Sequence, residues 1–89
     1  MNYSPEIKNR LKRVEGQVRG VLRMMEEGQE CNDVIHQLSA VRNAVDRVIV
    51  HVIGTDMSKC LMDEMQKEDE QRDTDKIIKD AIQLLLKTR

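Results

Sequence analysis

Cys31 and Cys60 are the two cysteines of this chain and its most reactive side chains. A thiolate attacks sulfur and also binds soft metal ions, so the pair admits sulfur redox chemistry or a metal site. Their neighbours separate the two. Asp56 lies one helical turn before Cys60 and on its face. His51 falls on the opposite side of the helix from Cys60, and His36 is poorly phased with Cys31, so neither histidine is placed as a ligand. Cu(I) favours thiolate and imidazole, and here a hard carboxylate stands where an imidazole would be wanted. Two thiols without a soft third ligand point instead to disulfide and polysulfide formation, which requires an attacking thiolate and a second thiol. No metal ligand set and no cofactor is assigned. No acid, base or nucleophile constellation beyond the thiols marks an enzyme. The bland alternative is two small buried hydrophobes.

The second group able to do chemistry is basic. Up to Arg23 the chain carries Lys8, Arg10, Lys12, Arg13, Arg19 and Arg23 against Glu6 and Glu15. Asp56, Asp63, Glu64, Glu68, Asp69, Glu70, Asp73 and Asp75 make the later region acidic. A formal net charge of -1 therefore hides a polarised molecule. On a helical wheel Lys8, Lys12, Arg19 and Arg23 flank one side of an apolar stripe, and Arg10, Arg13 and Gln17 flank the other. Arg42 and Arg47 flank a second stripe in the same way. Such residues are often a solvated face. Doubled in an oligomer, they form the basic surface that a phosphate-dominated contact with double-stranded DNA needs. Lys8, Arg10, Lys12, Arg13, Gln17, Arg19 and Arg47 are the expected DNA-binding residues.

The elements that carry these groups are helices. Ser4-Pro5 is a helix start, since Ser caps and Pro at the first position gives up an amide that would be unpaired anyway. Ile7, Leu11, Val14, Val18, Leu22 and Met25 then recur at spacings of three and four, predicting a helix from about Pro5 to Glu27, stopped by Gly28. Asn32 or Asp33 is positioned to cap a second helix. Val34, Leu38, Val41, Val45, Val48 and Val52 give it a heptad seam running toward Met65, with Gly54 a modest penalty. Gln66 to Arg72 reads as a linker. Asp73-Thr74-Asp75 offers caps for a short, nearly all-round apolar helix containing Ile77, Ile78, Ala81, Ile82, Leu84, Leu85 and Leu86, which must be buried, most simply on a neighbouring chain.

The fold expected is all-α, three helices in a single domain spanning residues 1–89, assembled as an oligomer. Eighty-nine residues bury a modest fraction of their surface alone. With Tyr3 the single aromatic residue, the core is aliphatic, which suits helix-on-helix packing. The first residues lack a basic start followed by an apolar stretch, and no apolar run is long enough for a bilayer, so a cytoplasmic protein without membrane association is expected. In that compartment a permanent structural disulfide is disfavoured. Along a continuous second helix Cys31 and Cys60 stand on the order of 40 Å apart. Two such helices paired antiparallel bring the Cys31 of one chain toward the Cys60 of the other. Cys31, at a helix start, is the thiol expected to react first.

The run Asn9-Arg10-Leu11-Lys12-Arg13-Val14-Glu15-Gly16-Gln17-Val18-Arg19-Gly20 and the run Cys31-Asn32-Asp33-Val34-Ile35-His36-Gln37-Leu38-Ser39-Ala40 resemble the two signature segments of the copper-sensitive operon repressor (CsoR) family, which also holds nickel and formaldehyde sensors. The resemblance covers nearly the whole chain. It implies a repressor forming a disc-shaped tetramer, a dimer of antiparallel dimers, that controls genes handling the stress it senses. Copper sensors of the family use Cys, His and Cys, and the matching positions here are Cys31, Asp56 and Cys60. The residue before the first cysteine, commonly Tyr in copper sensors, is Glu30. Two cysteines without the His are similar to the persulfide-sensing CstR branch. That similarity implies a repressor that binds operator DNA when reduced and is released when persulfide or polysulfide inducers link Cys31 and Cys60 of neighbouring chains through a di-, tri- or tetrasulfide. Its targets would be genes for sulfide and sulfane-sulfur detoxification. The alternatives are a Cu(I)-responsive repressor with Asp56 as a poor ligand, and a helical thiol protein that carries sulfur without binding DNA.

Overall fold

The computed structural model describes residues 2–68 and 73–88 and contains three helices: α1 (Pro5–Glu26), α2 (Cys31–Met65) and α3 (Thr74–Lys87). Strands are absent among the described residues, in keeping with an all-α fold. The chain divides into two compact units, Met1–Val48 and Ile49–Arg89, with α2 contributing to both.

In the first unit the start of α1 follows from its cap. Ser4 is extended, its hydroxyl accepts the Ile7 N–H at 3.2 Å, and Pro5 occupies the first turn where no amide is missed. The helix ends because Gly28 takes φ +71°, a left-handed conformation that side chains resist. The Gly28 N–H then donates to the Met25 carbonyl at 3.1 Å and the Gln29 N–H to the Met24 carbonyl at 3.0 Å. These paired bonds are the Schellman termination, and they satisfy carbonyls the helix would otherwise leave bare.

The helix α2 begins at Cys31 itself, earlier than a cap at Asn32 or Asp33 would allow. The Glu30 carbonyl accepts the N–H of both Asp33 and Val34 at 3.1 Å, making Glu30 the flanking residue. Asp33 thereby moves into the first turn, where its charge complements the helix dipole. The helix runs through Gly54 unbroken to Met65, as its heptad seam predicts.

Packing corrects the single apolar stripe read on α1. Ile7, Val14 and Val21 are buried, whereas Leu11, Val18, Leu22 and Met25 remain between 43% and 54% exposed. One neighbouring helix covers a row that repeats every seven residues, which is narrower than a stripe built on steps of three and four. The remainder of the stripe is left exposed among the described residues. The α2 seam divides similarly: Val34, Val41, Val48 and Val52 are half-buried, and Leu38 and Val45 are exposed.

In the second unit α3 starts at Asp73, whose carboxylate accepts the Lys76 N–H at 3.2 Å. Of its apolar residues Ala81 is buried, Ile77 and Leu85 are half-buried, and Ile78, Ile82, Leu84 and Leu86 are exposed. The burial expected of this helix is therefore incomplete among the described residues. The expected linker Gln66 to Arg72 is non-helical at residues 66–68, and residues 69–72 lie outside the described residues. Among the described residues no helix is long and apolar enough to cross a membrane.

Candidate nucleic-acid interface and thiol sensor

The first unit gathers four of the expected DNA-binding residues around one concavity of about 230 Å³. Arg10, Arg13 and Gln17 reach it from α1 because they recur at three and four residues, the spacing of one helix face. Arg47 reaches it from α2. Val14, Ala44 and Val48 complete the lining, which contains no carboxylate. Sequence reasoning singled out Arg47 but missed Ala44. The available signal was a small residue one turn before Arg47 beside the seam, where a larger side chain would fill the hollow.

Arg10 is the most constrained member. Its Nη2 lies 3.7 Å from Glu6 Oε1, beyond hydrogen-bond length, and its side chain is 34% exposed. Its Nε is buried and makes no hydrogen bond, the one such side-chain atom among the described residues. A buried donor without an acceptor costs on the order of 1–3 kcal/mol, and more when the group is charged.

Lys8 and Lys12 lie elsewhere. With Leu11 and Glu15 they line a separate concavity of about 350 Å³, in agreement with a wheel that put them on the other flank of α1. Arg19 is exposed and pairs with Glu15 at 3.7 Å, an exposed i,i+4 contact that contributes little stability. The seven residues therefore form a compact Arg10–Arg13–Gln17–Arg47 group, a Lys8–Lys12 pair and a lone Arg19.

Cys31 is exposed at the first position of α2, in the first unit, and Cys60 is half-buried in the second unit. Both are free thiols. Asp56 is exposed one turn before Cys60, and His36 and His51 are exposed. Among the described residues no three His, Cys, Asp or Glu side chains come together in a way that could hold a metal ion within one chain. Met57, half-buried like Cys60, stands at i,i+3 to it and presents a soft thioether that sequence reasoning passed over.

Three helices, an arginine-lined hollow and two free thiols on the long helix are thus the features that the chain offers for binding and chemistry. The chain belongs to the metal-sensitive transcriptional repressor family, whose sequence model matches residues 3–87. It is 41% identical over 64 residues to the copper-sensing transcriptional repressor CsoR of Bacillus subtilis, a match spanning 72% of this chain and 63% of that protein. It is 38% identical over 66 residues to the uncharacterized protein YrkD of the same organism, spanning 74% of this chain and all of YrkD. Among solved structures it is similar to the nickel-responsive transcriptional regulator InrS, with a TM-score of 0.75 at 28% identity, covering 97% of this chain and 92% of that one. Of these relatives CsoR is a transcriptional repressor and InrS a transcriptional regulator.

Proposed function

We propose that this member of the repressor family binds operator DNA while its thiols are reduced and releases it when persulfides act on Cys31 and Cys60. The observation that carries the reading is Asp56, which puts a carboxylate where a soft third ligand beside Cys60 would be needed for metal sensing. The exposed Cys31 thiolate attacks the outer sulfur of a persulfide R–S–SH, R–SH departs, and Cys31 carries the persulfide. The thiolate of Cys60 from a neighbouring chain then attacks the inner sulfur, hydrosulfide leaves, and a disulfide joins the chains. If Cys60 has itself been persulfidated, the Cys31 persulfide anion attacks the Cys60 sulfur, expelling hydrosulfide and leaving a trisulfide. If the Cys31 persulfide anion first attacks the outer sulfur of a second R–S–SH, R–SH departs, and the lengthened Cys31 chain of three sulfurs then attacks the Cys60 sulfur of the Cys60 persulfide, expelling hydrosulfide and leaving a tetrasulfide. The exposed apolar residues of α1 and α3 supply the surface on which a dimer, and a dimer of dimers, completes its core.

A second reading is a Cu(I)-responsive repressor. It is favoured by the similarity to a copper-sensing repressor and by Met57, whose thioether could join Cys60 and the Cys31 of a partner chain.

One experiment separates the readings: intact mass spectrometry and a DNA mobility shift on the same samples, treated with an organic persulfide or with Cu(I). Release of DNA with a covalently linked dimer heavier by whole sulfur atoms supports the persulfide reading. Release by stoichiometric Cu(I), with no release by persulfide, replaces it with the copper reading.

A further inference from the structure

We infer that the hollow between Arg10, Arg13, Gln17 and Arg47 is a seat for one tetrahedral oxyanion, and that free phosphate or sulfate occupies it in competition with the backbone phosphates of DNA. The inference extends the proposed repressor function by giving the protein a second, thiol-independent ligand site. Three guanidinium groups and one amide line the hollow, and no carboxylate among the lining residues offsets them. Arginine is charged at any biological pH, and its planar fork matches the spacing of oxyanion oxygens. The volume of about 230 Å³ accommodates such an ion with water beside it, since a water molecule's share of liquid volume is about 30 Å³.

Arg10 is held closely against the chain, with its side chain 34% exposed and its Nε buried. It is a charged donor with no acceptor, and Glu6 at 3.7 Å lies too far to hydrogen-bond the guanidinium. An oxyanion in the hollow would accept instead from those N–H groups of the three guanidinium groups that line it. Lys8 and Lys12, in the other concavity, have Glu15 beside them and lack an orphaned donor. They meet phosphates as mobile point charges rather than as a seat.

The test uses the reduced full chain with inorganic phosphate, and separately sulfate, titrated against chloride at constant ionic strength and read by calorimetry and by phosphorus NMR line width. Saturable binding is expected. It should weaken at least about tenfold in Arg47→Gln, the loss of one charge-assisted hydrogen bond, recover in part in Arg47→Lys, and stay unchanged in Lys79→Gln, a change at an exposed position of α3. In a second arm, phosphate at matched ionic strength displaces a fluorescent random-sequence duplex from the wild type. Displacement identifies the seat as one that DNA phosphates share. Phosphate binding that does not saturate, or that is equal in wild type and Arg47→Gln, overturns the inference. The first arm contains neither DNA nor an inducer, so it can succeed where the repressor reading fails, and the reverse.

Discussion

Glu64, in the last turn of α2, accepts the backbone N–H of Asp73 through Oε1 at 2.8 Å, so the carboxylate of one helix holds the capping residue of the next. Its other oxygen, Oε2, lies 3.0 Å from Lys67 Nζ. The Lys67 ammonium first, and the Asp73 N–H second, hold the Glu64 carboxyl below the usual glutamate value of 4.5 against the opposing effect of desolvation. A depressed carboxylate stabilises the fold above its unfolded value, and that contribution is lost as pH falls through the lower folded value. Glu64→Gln should therefore lower the melting temperature at neutral pH, Glu64→Ala should lower it further, and the gap between wild type and Glu64→Gln should close in acid. Thermal melts of the three proteins across pH check this. A gap that does not change with pH would show that the charge of Glu64 is immaterial.

The arginine-lined hollow predicts how binding depends on salt. Changing Arg10 or Arg13 to Ala should weaken capture of duplex DNA and reduce the slope of log affinity against log salt by about one per residue. The helical circular dichroism of each variant should be retained. Fluorescence anisotropy at several salt concentrations measures the slope, and unchanged slopes in both variants would move the contact surface elsewhere.

Asp56 bears on metal choice. With a carboxylate there, Cu(I) should be held weakly or should leave the DNA complex intact, and Asp56→His should tighten copper by tenfold or more, about 1.4 kcal/mol. Competition against a colorimetric Cu(I) chelator reads both. Met57→Leu in the same assay reports on the thioether, and a tight wild-type site abolished by Met57→Leu would establish the copper reading over the persulfide one.

Exposure orders the thiols. Cys31 is exposed and Cys60 half-buried, so a persulfide donor should modify Cys31 first. A Cys60→Ala protein should accumulate persulfide on Cys31 and respond poorly, while Cys31→Ala should stay largely unmodified and bound to DNA. Peptide mass spectrometry of donor-treated variants decides; rapid modification of Cys60 in the absence of Cys31 would reverse the order.

Two local devices at the ends of α1 have measurable effects. Ser4→Ala removes the acceptor for the Ile7 N–H and should cost about 1 kcal/mol. Gly28→Ala forces a Cβ into a left-handed backbone and should cost roughly 1–2 kcal/mol. Each kcal/mol corresponds to roughly 4–8 °C in melting temperature for a chain of this size. The space around Gly28 is open, so its cost is conformational rather than steric crowding.

Helix positions were readable because their signals are local. Ser4-Pro5, Gly28 and Asp73 each act within a few residues, and they mark the boundaries to within a residue or two. The start of α2 was misplaced because Glu30 serves through its backbone carbonyl, which side-chain type does not reveal. Burial was less legible. The α1 periodicity shows that a stripe is apolar but not how many neighbours share it, so Leu11 and Val14 look equivalent in sequence and differ sharply in exposure. The basic residues were legible one by one, and the wheel separated Arg10, Arg13 and Gln17 from Lys8 and Lys12. Their meeting with Arg47 over Ala44 depends on the register of two helices, a tertiary property that one helical wheel does not contain. The Glu64–Asp73 bond was hidden for the same reason, appearing in sequence as two members of an acidic run.

Among the described residues only Ile7, Val14, Val21 and Ala81 are buried apolar side chains, and none is sealed from solvent completely. In the proposed assembly the folding equilibrium is tied to the protein's own abundance, because each chain-to-chain contact that covers Leu11, Leu22 or Leu86 enters the equilibrium by mass action. Its melting temperature should then rise with protein concentration. In a cell, the amount of competent repressor would change more steeply than the amount of polypeptide made, so that a modest fall in synthesis or dilution by growth loosens repression out of proportion. Dosage would thus act as a second input beside the thiol response proposed above.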